Sequence, residues 1–354
     1  MHLKRYIIPL ILCLMAALNA PSAQAATAPD GPEIVVYVPS WSDQLPDPSS
    51  VTCINYAFGH VNATFNGVTI DNEPLLRQIL ELKKANRKLK VVLSIGGWGS
   101  DGFSQMAADA HNRRMFAWDC RKIVWSMGID GIDIDWEYPT QGDAGIAFSP
   151  DDTQNLTKVV QELRTAIGPK RTISVATVSS GLYVNLRALS KYVDYFNLMT
   201  YDMGTPPSHN APLFQSKYVQ SISIDEAVQR ILNQGIPGSQ IVLGLPFYGH
   251  ASENFPTDVK NSEVHLVENF FYNWDEDAKV PYMTTRSGQM AYSFDDVRSL
   301  GIKCSYARNR KLRGVMCWSY DGDDPENTLL NAVNSAMKSA EILNLDELSD
   351  HVSD

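Results

Sequence analysis

Cysteine is scarce in this chain. Its 354 residues hold 5, and none stands in a Cys-x-x-Cys pair. Cys13 falls in the N-terminal apolar run, which leaves Cys53, Cys120, Cys304 and Cys317. Four cysteines allow three pairings, but Cys53 and Cys317 sit in apolar, strand-like runs where a free thiol behaves as a small hydrophobe, so no disulfide is expected. No His lies at metal-ligand spacing from Cys or Glu, so no metal or cofactor is implied. Positive charge is also short: the formal net charge is −10, which argues against a nucleic-acid partner, since phosphates reward Lys and Arg. After residue 25 no run approaches the roughly 18 apolar residues of a membrane span. Gly-x-Ser-x-Gly and P-loop patterns are absent, and no Pro/Ser/Gly-rich linker divides the chain.

The N-terminus reads as a leader. Lys4 and Arg5 precede an apolar run from Ile7 to Leu18, and Ala23-Gln24-Ala25 has the small-x-small form of a cleavage site. Residues 1–25 are therefore expected to be a signal peptide that exports the protein to a periplasm or the outside. Residues 26–342 are expected to form one domain, and the acidic residues 343–354 a disordered tail. A monomer without membrane attachment after cleavage is expected.

Eight β-rich runs alternate with amphipathic stretches: Ile34–Val38, Thr52–Phe58, Lys90–Ile95, Ile129–Glu137, Thr172–Val178, Tyr195–Tyr201, Ile241–Phe247 and Gly314–Tyr320. Helical spacing occupies Glu73–Lys84, Ser104–Met127, Thr153–Ile167, Ile224–Gln234 and Pro325–Ile342. Strand and helix in alternation imply parallel strands with right-handed crossovers. Eight units predict an α/β fold, a (β/α)8 TIM barrel, with a small insertion between strands 7 and 8. The insertion holds one candidate strand, Tyr282–Thr284, and a helix near Phe294–Leu300.

The most informative segment is Asp130-Gly131-Ile132-Asp133-Ile134-Asp135-Trp136-Glu137. Asp133, Asp135 and Glu137 alternate, so on a strand they share one face while Ile132, Ile134 and Trp136 share the other. In a barrel the apolar set faces the helices and the acids face the axis. Three inward acids cannot all ionise cheaply, so at least one pKa rises and a proton is shared. Glu137 comes last, nearest the C-terminal mouth where barrel enzymes work. A solvent-exposed alternating strand and a hard-cation site are the competing readings; the first conflicts with Ile, Ile and Trp opposite, the second with the lack of a fourth ligand.

This segment with Tyr138-Pro139 resembles the Asp-x-x-Asp-x-Asp-x-Glu signature of glycoside hydrolase family 18, the chitinases and related endo-β-N-acetylglucosaminidases. Ser94-Ile95-Gly96-Gly97-Trp98, Met199-Thr200-Tyr201-Asp202 and Gly314 to Asp323 resemble further motifs of that family, in order and on assigned strands. The resemblance implies that Glu137 is the general acid, that the substrate's own acetamido oxygen is the nucleophile with net retention, that Asp135 orients that group, and that Asp133, bonded by Ser94, shares a proton with Asp135. It implies that Tyr201, on the Met199 face of its strand, hydrogen-bonds the acetamido carbonyl and that Asp202 contacts sugar. Trp318 is implied as a stacking platform, with Tyr37 on the same floor and Trp98 and Tyr138 at a flanking subsite. The implied partner is an N-acetylglucosamine polymer or glycan. Cys317 and Tyr320 depart from the pattern without removing a catalytic group, and the insertion looks short for an added α+β domain, so a shallow cleft is expected. The alternatives are an endo-β-N-acetylglucosaminidase acting on N-glycan cores and a non-catalytic chitin-binding lectin. Gly97-Trp98-Gly99-Ser100-Asp101-Gly102 also fits a dinucleotide-binding pattern, but it follows the third strand and Trp98 crowds the turn.

Overall fold

A computed structural model describes residues 31–253, 255, 259–260 and 270–341. The expected leader and the acidic tail lie outside these residues. Eight parallel strands form the barrel: β1 Glu33–Pro39, β2 Cys53–Val61, β3 Lys90–Gly96, β4 Gly131–Asp135, β5 Thr172–Val178, β6 Tyr195–Met199, β7 Ile241–Pro246 and β8 Gly314–Trp318. Each pairs with its neighbour, and β1 pairs with both β2 and β8, so the sheet closes. The predicted (β/α)8 barrel is present, with strand ends shifted by a few residues. Among the described residues no helix is long and apolar enough to cross a membrane, and the four described cysteines are buried and unpaired.

Two helix readings need correction. The stretch read as one helix from Ser104 to Met127 is two, Phe103–Ala108 and Ala110–Met127. Asp109 separates them in an extended conformation, because its carboxylate caps the second helix by accepting from the His111 and Asn112 amides at 2.8 Å each. The last helix is Thr328–Lys338, shorter than the predicted Pro325–Ile342, and it starts after Asn327 in the left-handed region. By contrast Ile224–Asn233 starts where read, closed by a reciprocal Ser223–Glu226 capping box.

The insertion is more ordered than its single predicted strand. Tyr248–Ala251, Val259–Lys260, Phe271–Asp275, Val280–Thr284 and Met290–Ser293 form a five-stranded antiparallel sheet. Met283, Ala291, Tyr292 and Phe294 make its small apolar core. The helix after it is Val297–Asn309. There Lys303 and Asp295, 0% and 1% exposed, pair at 2.5 Å, and Ser299 also donates to Asp295 at 2.6 Å. Removing one partner of a buried pair strands the other's charge. Lys303→Met is expected to lower stability by about 3–5 kcal/mol, read from the midpoint of chemical denaturation; a shift under about 1 kcal/mol would mean Asp295 is already neutral.

Register aligns the barrel's polar interior. Ser94 on β3, Asp133 on β4 and Ser174 on β5 stand side by side. Ile132, Ile134 and Trp136 are buried, and Trp136 stacks on Phe103 of the surrounding helix layer at 5.2 Å. The acids therefore face the axis, as the alternation predicts.

Candidate active site

Asp133 is fully buried and ringed by donors. Its Oδ2 accepts from the Tyr37 hydroxyl at 2.9 Å and the Ser94 hydroxyl at 2.7 Å. Its Oδ1 accepts from the Ser174 hydroxyl at 2.6 Å and the Asn197 amide at 3.1 Å. Burial pushes the Asp133 carboxyl up, while these four hydrogen bonds pull the other way. No hydrogen bond joins Asp133 to Asp135, since donors from four different strands already occupy the Asp133 oxygens.

Asp135 sits one step higher, 4% exposed, and its Oδ1 has no hydrogen-bond partner. Burial, then the charge of Glu137, then that of Asp133, hold it well above the usual carboxylate range. Glu137 lies two residues beyond the end of β4, half-buried at the mouth. Burial pushes its carboxyl up to about 7; a hydrogen bond with Tyr138 opposes this and the charge of Asp202 adds to it. The segment thus carries one acid held by four donors, one whose carboxyl is pushed well up, and, just past the strand, one raised to about 7.

Close backbone packing sets this height. Gly96 ends β3 with φ of 130°, and a Cβ there would lie 1.9 Å from the Asp135 carbonyl oxygen. Gly97 follows, donating its amide to that same oxygen at 2.9 Å. Gly97, the first glycine of the dinucleotide-like pattern, thus serves the approach of β3 to the acid strand together with Gly96, which lies just before that pattern. The peptide bonds Ala57–Phe58, Glu137–Tyr138 and Trp318–Ser319 are cis.

Above the acids lies a cleft of about 820 Å³. Tyr37, Trp98, Asp135, Glu137, Tyr138, Met199, Tyr201, Asp202 and Trp318, nine of the predicted site residues, line it. Ser94 and Asp133 sit beneath. Trp318 is half-buried, 5.7 Å from Tyr37 and 5.6 Å from Phe58 between ring centres. Trp98, 63% exposed, meets Tyr138 edge-on at 6.2 Å on the rim. Tyr138 stacks on Tyr183 at 5.5 Å. The Tyr201 hydroxyl lies 3.9 Å from the Met316 sulfur. Asp202, at φ 55°, accepts at Oδ1 from Tyr248 at 2.6 Å and from His250 at 2.7 Å.

Other cleft and cage residues escaped the sequence reading. Ser174 and Asn197 carried a faint signal, being polar inward positions in otherwise apolar strands. Phe58, Trp41 and His250 carried none, because single aromatics and histidines are ordinary core or surface residues until the chain is folded. Asp130, by contrast, points away from the acids as its odd offset predicts, pairing with Lys83 at the opposite end of β4.

The family model of Glycosyl hydrolases family 18 matches residues 33–323. The chain is 28% identical over 418 residues to Chitinase A1 of Niallia circulans, covering 89% of this chain and 60% of that protein. It is 30% identical over 353 residues to Chitotriosidase-1 of Mus musculus, covering 84% of this chain and 75% of that protein. Among solved structures, a glycoside hydrolase family 18 N-acetylglucosaminidase from Paenibacillus barengoltzii superposes with a TM-score of 0.79 at 30% identity, over 86% of this chain and 100% of that one. The group IV chitinase of Ostrinia furnacalis, in complex with allosamidin, superposes with a TM-score of 0.77 at 27% identity, over 90% and 100% of the two chains. A match over most of the chain, on the same barrel, means that this chain belongs to the glycosyl hydrolases of family 18, enzymes that cut glycosidic bonds.

Proposed function

We propose that this enzyme hydrolyses β-1,4 linkages between N-acetylglucosamine units, in chitin or chito-oligosaccharides, with net retention. The observation that carries this reading is the division of labour along β4. Asp133 is buried and saturated by four donors, and Asp135 is driven towards its neutral form. Neither is available as an attacking carboxylate. Only Glu137 is poised near neutrality at the mouth, where it donates its proton to the glycosidic oxygen and later takes one from water. The nucleophile then comes from the substrate: its 2-acetamido oxygen closes on the anomeric carbon as the leaving sugar departs. Asp135 orients the acetamido group, its carboxyl oxygen accepting from the acetamido N–H as positive charge develops there, and Tyr201 holds its carbonyl. Trp318 gives the reacting sugar a flat face, since pyranose C–H faces stack on aromatic rings. Tyr37, Met199 and Asp202 complete that subsite, with Trp98 and Tyr138 beyond it. No cofactor enters this chemistry. The leader-like residues 1–25 support export, and a monomer suffices because one chain supplies every group named.

Chito-oligosaccharides and a high-mannose glycoprotein, incubated in parallel with product analysis, test the reading. Short N-acetylglucosamine oligomers from the first and no free glycan from the second are expected. Glycan release alone would make the enzyme an endo-β-N-acetylglucosaminidase, and binding without turnover on either would make it a lectin.

A further inference from the structure

Trp41 lines the cleft just after β1 and is 63% exposed. An indole so exposed buries little area for the fold, so a device that fixes its plane calls for another explanation. Its Nε1–H donates to Asp321 Oδ2 at 3.2 Å. The other oxygen of the same carboxylate accepts from the Ser319 hydroxyl at 2.5 Å, and Ser319 directly follows the platform residue Trp318. Lys260, from the inserted sheet, stands 3.6 Å from Asp321 Oδ2. Asp321 is mostly buried, its side chain 15% exposed against 48% for Lys260, and it lies behind the cleft wall, outside the lining itself.

We infer that Asp321 is a positioning residue that holds two aromatic platforms, Trp41 and Trp318, in one frame for an extended sugar chain. This rests on the reading of the cleft given above. A carboxylate accepting from neutral donors makes hydrogen bonds stronger than neutral pairs, and fixing an exposed ring before binding removes the entropy cost of ordering it on the ligand. Lys260 offsets the charge, so a neutral sugar meets no bare carboxylate there. The three contacts join the loops after β1 and β8 to the inserted sheet, which ties the insertion to substrate length.

Steady-state kinetics on a long chito-oligosaccharide and a short chromogenic one test this. Asp321→Ala is expected to raise KM for the long substrate about tenfold, with a smaller rise for the short one and little change in kcat. Asp321→Asn keeps an acceptor for the indole and should restore most of the long-substrate KM. Trp41→Phe, which removes the N–H donor and keeps an aromatic ring, should reproduce the long-substrate defect and serves if Asp321→Ala does not fold. The double variant Asp321→Ala/Trp41→Phe should be no worse than either single. Equal KM rises on long and short substrates, failure of the Asn variant to rescue, or additivity in the double variant would each overturn the inference. Failure of the proposed function itself would show separately, as no turnover of either substrate by the unaltered enzyme.

Discussion

Glu137→Gln is expected to lower kcat by roughly three orders of magnitude while leaving binding of chito-oligosaccharides intact. The amide keeps the shape and polarity of the side chain but has no proton to give. Binding by calorimetry and turnover on the same oligosaccharide separate the two effects. The pH dependence carries the sign. The donor is the protonated form, and burial raises the Glu137 carboxyl from 4.5 to about 7. Turnover should therefore fall as pH rises through about 7. The stability linkage runs the same way. A raised folded-state value favours the fold below 4.5 and loses that advantage as pH rises through about 7. The Gln variant, which cannot ionise, should be at least as stable as the unaltered enzyme under mildly alkaline conditions. An inactive but destabilised variant would mean that Glu137 serves the fold more than the reaction.

Asp133→Ala has the second large effect, and it is one of stability as well as rate. The substitution leaves Tyr37, Ser94, Ser174 and Asn197 pointing donors into a buried space. At roughly 1 kcal/mol for each orphaned donor, the loss comes to about 4 kcal/mol, read from urea or guanidinium unfolding. Activity should fall too, because the charge of Asp133 is one of the causes that hold the Asp135 carboxyl high. Asp135 should then ionise at lower pH, and the remaining activity should peak at lower pH. A loss below about 1 kcal/mol would show that the cage does not hold a charged carboxylate.

The chain's own letters carried much of this. Alternation of acid and apolar residues from Ile132 to Glu137 predicted which face meets the axis, because a strand has a period of two and no freedom to choose otherwise. Eight β-rich runs separated by helical stretches predicted the closed barrel, because parallel strands need crossovers and crossovers have one hand. Boundaries were less legible. Ser104 to Met127 reads as a continuous helix, and only the cap formed by Asp109 divides it. The inserted sheet was nearly invisible, since its strands run from two to five residues and its apolar core draws on a handful of side chains.

What the sequence determined by itself was the acid set, its orientation and which acid stands at the mouth. These follow from local periodicity and chain order, which need no knowledge of distant residues. What only the tertiary structure decided was the state of each acid and the frame around the cleft. Asp133 is locked by hydroxyls and an amide from β1, β3, β5 and β6, and the Asp135 carboxyl is pushed well up by burial and by its neighbours' charges. Trp41 donates a hydrogen bond to a carboxylate 280 residues away along the chain. Desolvation and hydrogen bonding depend on which groups meet in space, and that is settled only when the barrel closes.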